Sequence, residues 1–160
     1  MSKKMTLAVE FSLMNQESQI EENKGTPHGE GPVPFFEANV KTRVLLVASG
    51  KGGVGKSSVT TNLAVALSKR GNDVAVIDAD VWGFSIPRML GITEPPSVVD
   101  DMLVPPSAHG VRSISMGFFA DEDQPVIWRG PMLHKALNQF LTDVVWDEPD
   151  FLLIDLPPGT

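Results

Sequence analysis

Gly50-Lys51-Gly52-Gly53-Val54-Gly55-Lys56-Ser57 is the stretch on which the reading of this 160-residue chain turns. It has a Gly, four free positions and then Gly-Lys-Ser, the spacing of a loop that cradles phosphate. The apolar run Val44-Leu45-Leu46-Val47-Ala48 leads in and a helical pattern leads out, giving the order strand, tight turn, helix. Glycines here leave no Cβ between backbone N–H groups and an anion, and they tolerate positive φ. The helix behind them points its positive end at the same anion. On this reading Gly50, Lys51, Gly52, Gly53, Val54, Gly55, Lys56, Ser57 and Ser58 form the phosphate-binding set. Lys56 places its charge on the β- and γ-phosphates, and the Ser57 hydroxyl ligates Mg²⁺. A Gly-rich turn that binds nothing has the same composition, so the flanking sequence has to arbitrate.

Outward from the loop, the pattern is that of an α/β protein. Arg43 to Ser49 is nearly continuous in apolar residues, as expected of a strand covered on both faces. Val59, Leu63, Ala66 and Leu67 recur at helical spacing and predict the buried stripe of the next helix. Lys69 and Arg70 suit its negative end, and Gly71 can stop it. Asp73 to Asp78 reads as a second buried strand. Residues 91–110, with Pro95-Pro96 and Pro105-Pro106, read as irregular. Val111 to Met116 reads as a further strand and Pro125 to Trp128 as a short one. Pro131 opens a helix with Leu133, Leu137, Phe140, Leu141 and Val144 as its apolar face. Phe151 to Asp155 is a third strong strand. Strand and helix alternate, so a mostly parallel sheet with helices on both faces is the economical fold.

The first forty residues differ. Residues 6–13 alternate weakly and read as a strand, and Gly25 to Pro34 reads as a linker. The expected organisation is a remnant of a small domain over 1–22, a linker over 23–40, and the first part of a larger α/β domain over 41–160. A net charge of −7 argues against a nucleic-acid surface made by bulk charge. No apolar run reaches the roughly 20 residues that span a bilayer, and no long apolar segment follows the basic N-terminus. The expected location is therefore the cytoplasm, with neither membrane nor nucleic acid as partner. With no cysteine, these residues contain no disulfide and no thiolate metal site. His28, His109 and His134 lack ligand spacing.

Three strand ends carry the polar residues. One delivers the glycine-rich loop, one Asp78-Ala79-Asp80 and one Asp155. In open parallel sheets, ligands sit at the carboxyl ends of strands. Asp155 closes an apolar strand, as a carboxylate that holds Mg²⁺ does; the competing reading is a turn cap. Asp80 is the candidate for placing an attacking water. Asp78 either supports the loop and the metal's waters or simply caps.

The loop GKGGVGKS resembles the deviant Walker A loop of a P-loop NTPase family. That family includes the nitrogenase iron protein, septum-site and chromosome-partition ATPases, and the Mrp/ApbC iron–sulfur carriers. The similarity to the Mrp/ApbC branch extends to residues 78–91 (DADVWGFSIPRMLG), to Ser115-Met116-Gly117-Phe118 with Trp128-Arg129-Gly130-Pro131-Met132, and to residues 153–160 (LIDLPPGT). Phe84 stands where that branch commonly has Pro. The resemblance implies an ATPase with catalytic Lys51, Lys56 and Asp80, and with Ser57, Asp155 and, less directly, Asp78 around Mg²⁺. Lys51 would reach the nucleotide of the other subunit in a homodimer. The implied function is binding and transfer of iron–sulfur clusters to recipient apoproteins. The [4Fe–4S] cluster is expected only in a full-length protein, on a Cys-x-x-Cys pair that this chain lacks. The alternative is a partition- or septum-type positioning ATPase that acts as a nucleotide-switched dimer. The family also carries further strands, so an uncovered apolar face and an open sheet edge are expected here.

Overall fold

A computed structural model of the chain describes residues 40–81, 83–119 and 130–159, together with Phe35. The expected strand over 6–13, nearly all of the linker, the short strand over 125–128, Trp82 and Arg129 lie outside the described residues.

In chain order the elements are β1 (Arg43–Val47), α1 (Lys56–Lys69), β2 (Val74–Asp78), α2 (Ile86–Leu90), β3 (Ser97–Val99), β4 (Met102–Val104), β5 (Ser107–Ala108), β6 (Val111–Ser115), α3 (Gly130–Thr142) and β7 (Phe151–Asp155). The main sheet runs β1-β7-β2-β6-β5. Its first four strands are parallel, and β5 joins β6 antiparallel. Every residue of β2 is buried, so this strand is covered on both faces, as its Val-Ala-Val-Ile run suits. Ile77, Ile114, Leu152 and Leu153 from the sheet meet Ala64 of α1 and Phe140 of α3 in one core. Trp146 is buried with them and donates its indole N–H to the Phe140 carbonyl at 2.7 Å. That contact satisfies the polar end of an otherwise apolar ring.

Four expectations are corrected. First, β1 is not covered on both faces: among the described residues it is an edge strand, and Leu46 is 62% exposed. Second, α1 buries Thr60, Thr61 and Ala64 rather than the Val59–Leu63–Ala66–Leu67 stripe. Val59, Leu63 and Ala66 are exposed, and Leu67 is half-buried. The rotation of α1 about its axis is fixed by a polar anchor one turn into the helix, Thr60, which the hydrophobic spacing does not register. Third, residues 91–110 are not irregular throughout. Strands β3 and β4 pair as a hairpin through Asp100 and Asp101, which take φ of 48° and 61°. Two positive φ values in succession match the twist of a two-residue hairpin turn, and Asp is among the residues that tolerate them. The helix α3 also stops before Val144. That residue is instead buried in an extended bridge to Leu103, fixed by Leu103 N–H to Asp143 O and Val145 N–H to Leu103 O, both 2.8 Å.

Candidate functional site

The register of the parallel strands builds the site. Val47 pairs with Asp155, Asp155 with Asp78, and Asp78 with Ser115. Strand-end residues far apart in sequence thus stand in one row across four strands, at the end where α1 begins.

Above this row lies the glycine-rich loop. Gly53 and Gly55 take φ of 74° and 89°, which other residues adopt only with strain. Gly55 occupies the N-cap position, so α1 starts at Lys56. The turn after β7 braces the loop from below: Gly159 N–H donates to Ser49 O at 2.8 Å, and Pro158 lies against Gly52. A cleft of about 290 Å³ opens over the loop. Gly52, Gly53, Gly55, Lys56, Ser57 and Ser58 of the loop and α1 line the cleft, together with Asp80, Gly83 and Ser85. Gly50, Lys51 and Val54 are exposed and stand outside this lining.

Asp155 is fully buried beneath the cleft. Its Oδ2 receives the Lys56 ammonium and the Ser57 hydroxyl, both at 2.6 Å, and its Oδ1 the Thr60 hydroxyl at 2.7 Å. A buried carboxylate is tolerated only when paired and hydrogen-bonded, and here one carboxylate ties three residues of α1 to β7. Thr60 escaped the sequence reading. Its signal is a polar residue four positions after Lys56, a full helical turn on, where it faces the same strand end. Ser57 and Asp155 offer adjacent hard oxygens, which suits Mg²⁺, an ion that takes one or two protein oxygens and completes its shell with water and phosphate. Among the described residues, no group of three or more acidic or histidine side chains forms a self-sufficient metal cage.

Asp78 is also fully buried and does not line the cleft. Burial, then the nearby Asp155 charge, pushes its carboxyl up to about 6; the Ile86 and Asp80 N–H groups and the Ser115 hydroxyl pull the other way. Asp80 lines the cleft and accepts the Gly83 N–H at 3.1 Å. The three strand ends singled out from the sequence stand side by side in the sheet. Sequence reasoning missed Thr60 and Ser115, the hydroxyls that hold the two buried carboxylates.

Several known proteins are similar to this chain. An iron-sulfur cluster carrier protein of Mycobacterium tuberculosis is 52% identical over 159 residues, covering 97% of this chain and 42% of the relative. One from Bacillus subtilis is 55% identical over 116 residues, 72% of this chain and 33% of the relative. The chain therefore spans less than half the length of these curated relatives. Among solved structures, a nucleotide-binding protein from Archaeoglobus fulgidus in complex with ADP shares 39% identity at a TM-score of 0.63, over 74% of this chain and 46% of that one. The description ParA: NUBPL iron-transfer P-loop NTPase matches residues 39–160, which take in the sheet, the loop and the carboxylates beneath it. The chain belongs to the NUBPL iron-transfer P-loop NTPase family.

Proposed function

We propose that this protein binds and hydrolyses ATP with Mg²⁺ in the strand-end cleft, and that the whole protein uses the cycle to carry iron–sulfur clusters to recipient apoproteins in the cytoplasm. The observation that carries the nucleotide half is the cluster of Lys56, Ser57 and Asp155 directly behind the positive-φ glycines. Backbone N–H groups of the loop hold the phosphate chain, and Lys56 exchanges Asp155 for the β- and γ-phosphates. Mg²⁺ held by Ser57 and Asp155 would neutralise charge on the phosphates. Asp80, which lines the same cleft, orients the attacking water; placement matters more than basicity in phosphoryl transfer. Lys51, exposed beside the cleft, is assigned to the nucleotide of a second copy in a homodimer.

The carrier half is supported by family membership and by the relatives that bear that name. The cluster is cargo, and with no cysteine in these 160 residues its thiolates are assigned to the whole protein outside them. The test uses the full-length protein, reconstituted with a cluster under anaerobic conditions. Asp80→Ala should bind Mg-ATP like the parent and lose turnover on the order of a hundredfold or more. Cluster transfer to an apo acceptor should respond to ATP in the parent and not in Lys56→Ala. An Asp80→Ala variant that hydrolyses ATP at the parent rate would remove its assigned role. A protein that holds no cluster would remove the carrier reading.

A further inference from the structure

The stretch Ser115-Met116-Gly117-Phe118 closes β6 as a 3-10 turn and takes no part in the chemistry so far. None of its residues lines the cleft. Two contacts nevertheless join it to the loop that carries Asp80.

The first runs through Asp78. Gly117 N–H donates to the Ser115 hydroxyl oxygen at 3.1 Å, and that hydroxyl donates to Asp78 Oδ2 at 3.2 Å. The same carboxylate accepts the N–H of Asp80 on Oδ1 at 3.3 Å and the N–H of Ile86 on Oδ2 at 3.2 Å. Both ends of the segment from Asp80 to Ile86 are thus fastened to one buried group, and Ser115 fixes that group from the neighbouring strand. The second contact is steric. A Cβ on Gly117 would come within 2.9 Å of Phe84 Cβ and closer still to its ring, so Phe84 packs on bare backbone. Inside the segment, Gly83 plays the matching part: a Cβ there would lie 2.9 Å from Asp80 Oδ2. The carboxylate that lines the cleft with the phosphate loop is therefore placed by a segment held at its two ends and at its middle.

We propose that the Ser115–Phe118 turn is a positioning element for Asp80, acting through the Ser115 hydroxyl on Asp78 and through the seat that Gly117 gives to Phe84. This rests on the assignment of Asp80 to ATP hydrolysis. A reacting group moved by a fraction of an ångström loses rate without losing ligand, because the groups that grip the phosphates are elsewhere. Packing alone would behave differently: it would lower stability and leave the ratio of turnover to binding unchanged.

The experiment compares Ser115→Ala, Gly117→Ala, Phe84→Ala and the double variant Gly117→Ala/Phe84→Ala in the full-length protein. Steady-state ATPase and Mg-ADP affinity are measured on each folded variant. The expected result is a fall in kcat on the order of tenfold to a hundredfold for Ser115→Ala and Gly117→Ala, with Mg-ADP affinity retained. In the Phe84→Ala background, Gly117→Ala should cause a smaller fall than in the parent, since its Cβ then meets only the Cβ of residue 84 and no ring. An unchanged kcat, a fall matched by an equal loss of Mg-ADP affinity, or a Gly117→Ala effect undiminished without Phe84 would overturn the proposal. If the parent itself hydrolyses nothing, the ATPase reading fails on its own. Amide exchange then decides this one: Asp80 and Ile86 should exchange faster in Ser115→Ala while the β7 amides do not, and unchanged exchange at both would refute it.

Discussion

Asp155 and Asp78 are neighbours in register, equally buried, and differently treated. Asp155 has an ammonium and two hydroxyls; Asp78 has two backbone N–H groups and one hydroxyl, with no cation in contact among the described residues. Burial and the Asp155 charge therefore raise the Asp78 carboxyl from 3.8 to about 6. The folded chain binds this proton more tightly than the unfolded chain does. The contribution of Asp78 to stability thus falls as pH rises from about 4 to about 6, by at most about 3 kcal/mol, and is level above. Asp78→Asn removes that slope. Without Mg²⁺ or nucleotide, the melting temperature of the variant relative to the parent should climb between pH 4 and pH 7; parallel curves would contradict this. Thr60→Val makes the opposite point at Asp155. It strips one hydroxyl from a buried carboxylate while keeping shape, and should cost about 1–3 kcal/mol in chemical denaturation. A cost near zero would mean that Thr60 anchors nothing.

At the scale of elements, the strands were legible where apolar runs are long and uninterrupted, as in β2 and β7, and the loop where Gly and Lys spacing leaves few alternatives. The face of α1 was not. Its amphipathic pattern is weak, and a single polar anchor, Thr60, outweighs Val59 and Leu63 in setting which side turns inward. The two readings of α1 predict opposite mutational orders. Leu63, 38% exposed, should tolerate Gln within about 1 kcal/mol, whereas Ala64→Gln forces a polar side chain into a filled core and should cost more than about 2 kcal/mol. The reverse order, measured by denaturation, would restore the stripe read from spacing. The hairpin β3–β4 was hidden for another reason: its turn uses Asp-Asp, not the Asn-Gly or Asp-Gly pair that marks such turns in sequence. Asp101→Gly should be neutral or slightly stabilising, and Asp101→Val should destabilise by about 1–2 kcal/mol, because a β-branched residue resists positive φ.

Over the whole molecule, the parallel sheet does what no local pattern could. It carries Lys56 and Asp155, 99 positions apart, into contact, and sets Asp80 in the same cleft as the loop. The carboxylates were legible as strand ends; their hydroxyl partners were not, because Ser and Thr carry no spacing signature until the register is known. Lys51 belongs to this largest scale. It is exposed and off the cleft wall, so its assigned task needs a second copy. Lys51→Ala should leave Mg-ADP affinity of the monomer intact and abolish the ATP-dependent mass increase expected of the parent in sedimentation. A variant that still dimerises with ATP and turns over like the parent would take Lys51 out of the site. Most directly, everything rests on a Mg-nucleotide seated between the glycine loop and Asp155, and titration calorimetry of Mg-ATP reads that seat. One binding event per chain is expected, weakened by omitting Mg²⁺ and lost in Lys56→Ala, with a stabilisation of about 2.7 kcal/mol at a hundredfold excess over Kd. No heat at millimolar Mg-ATP, or binding undiminished in Lys56→Ala, would contradict it.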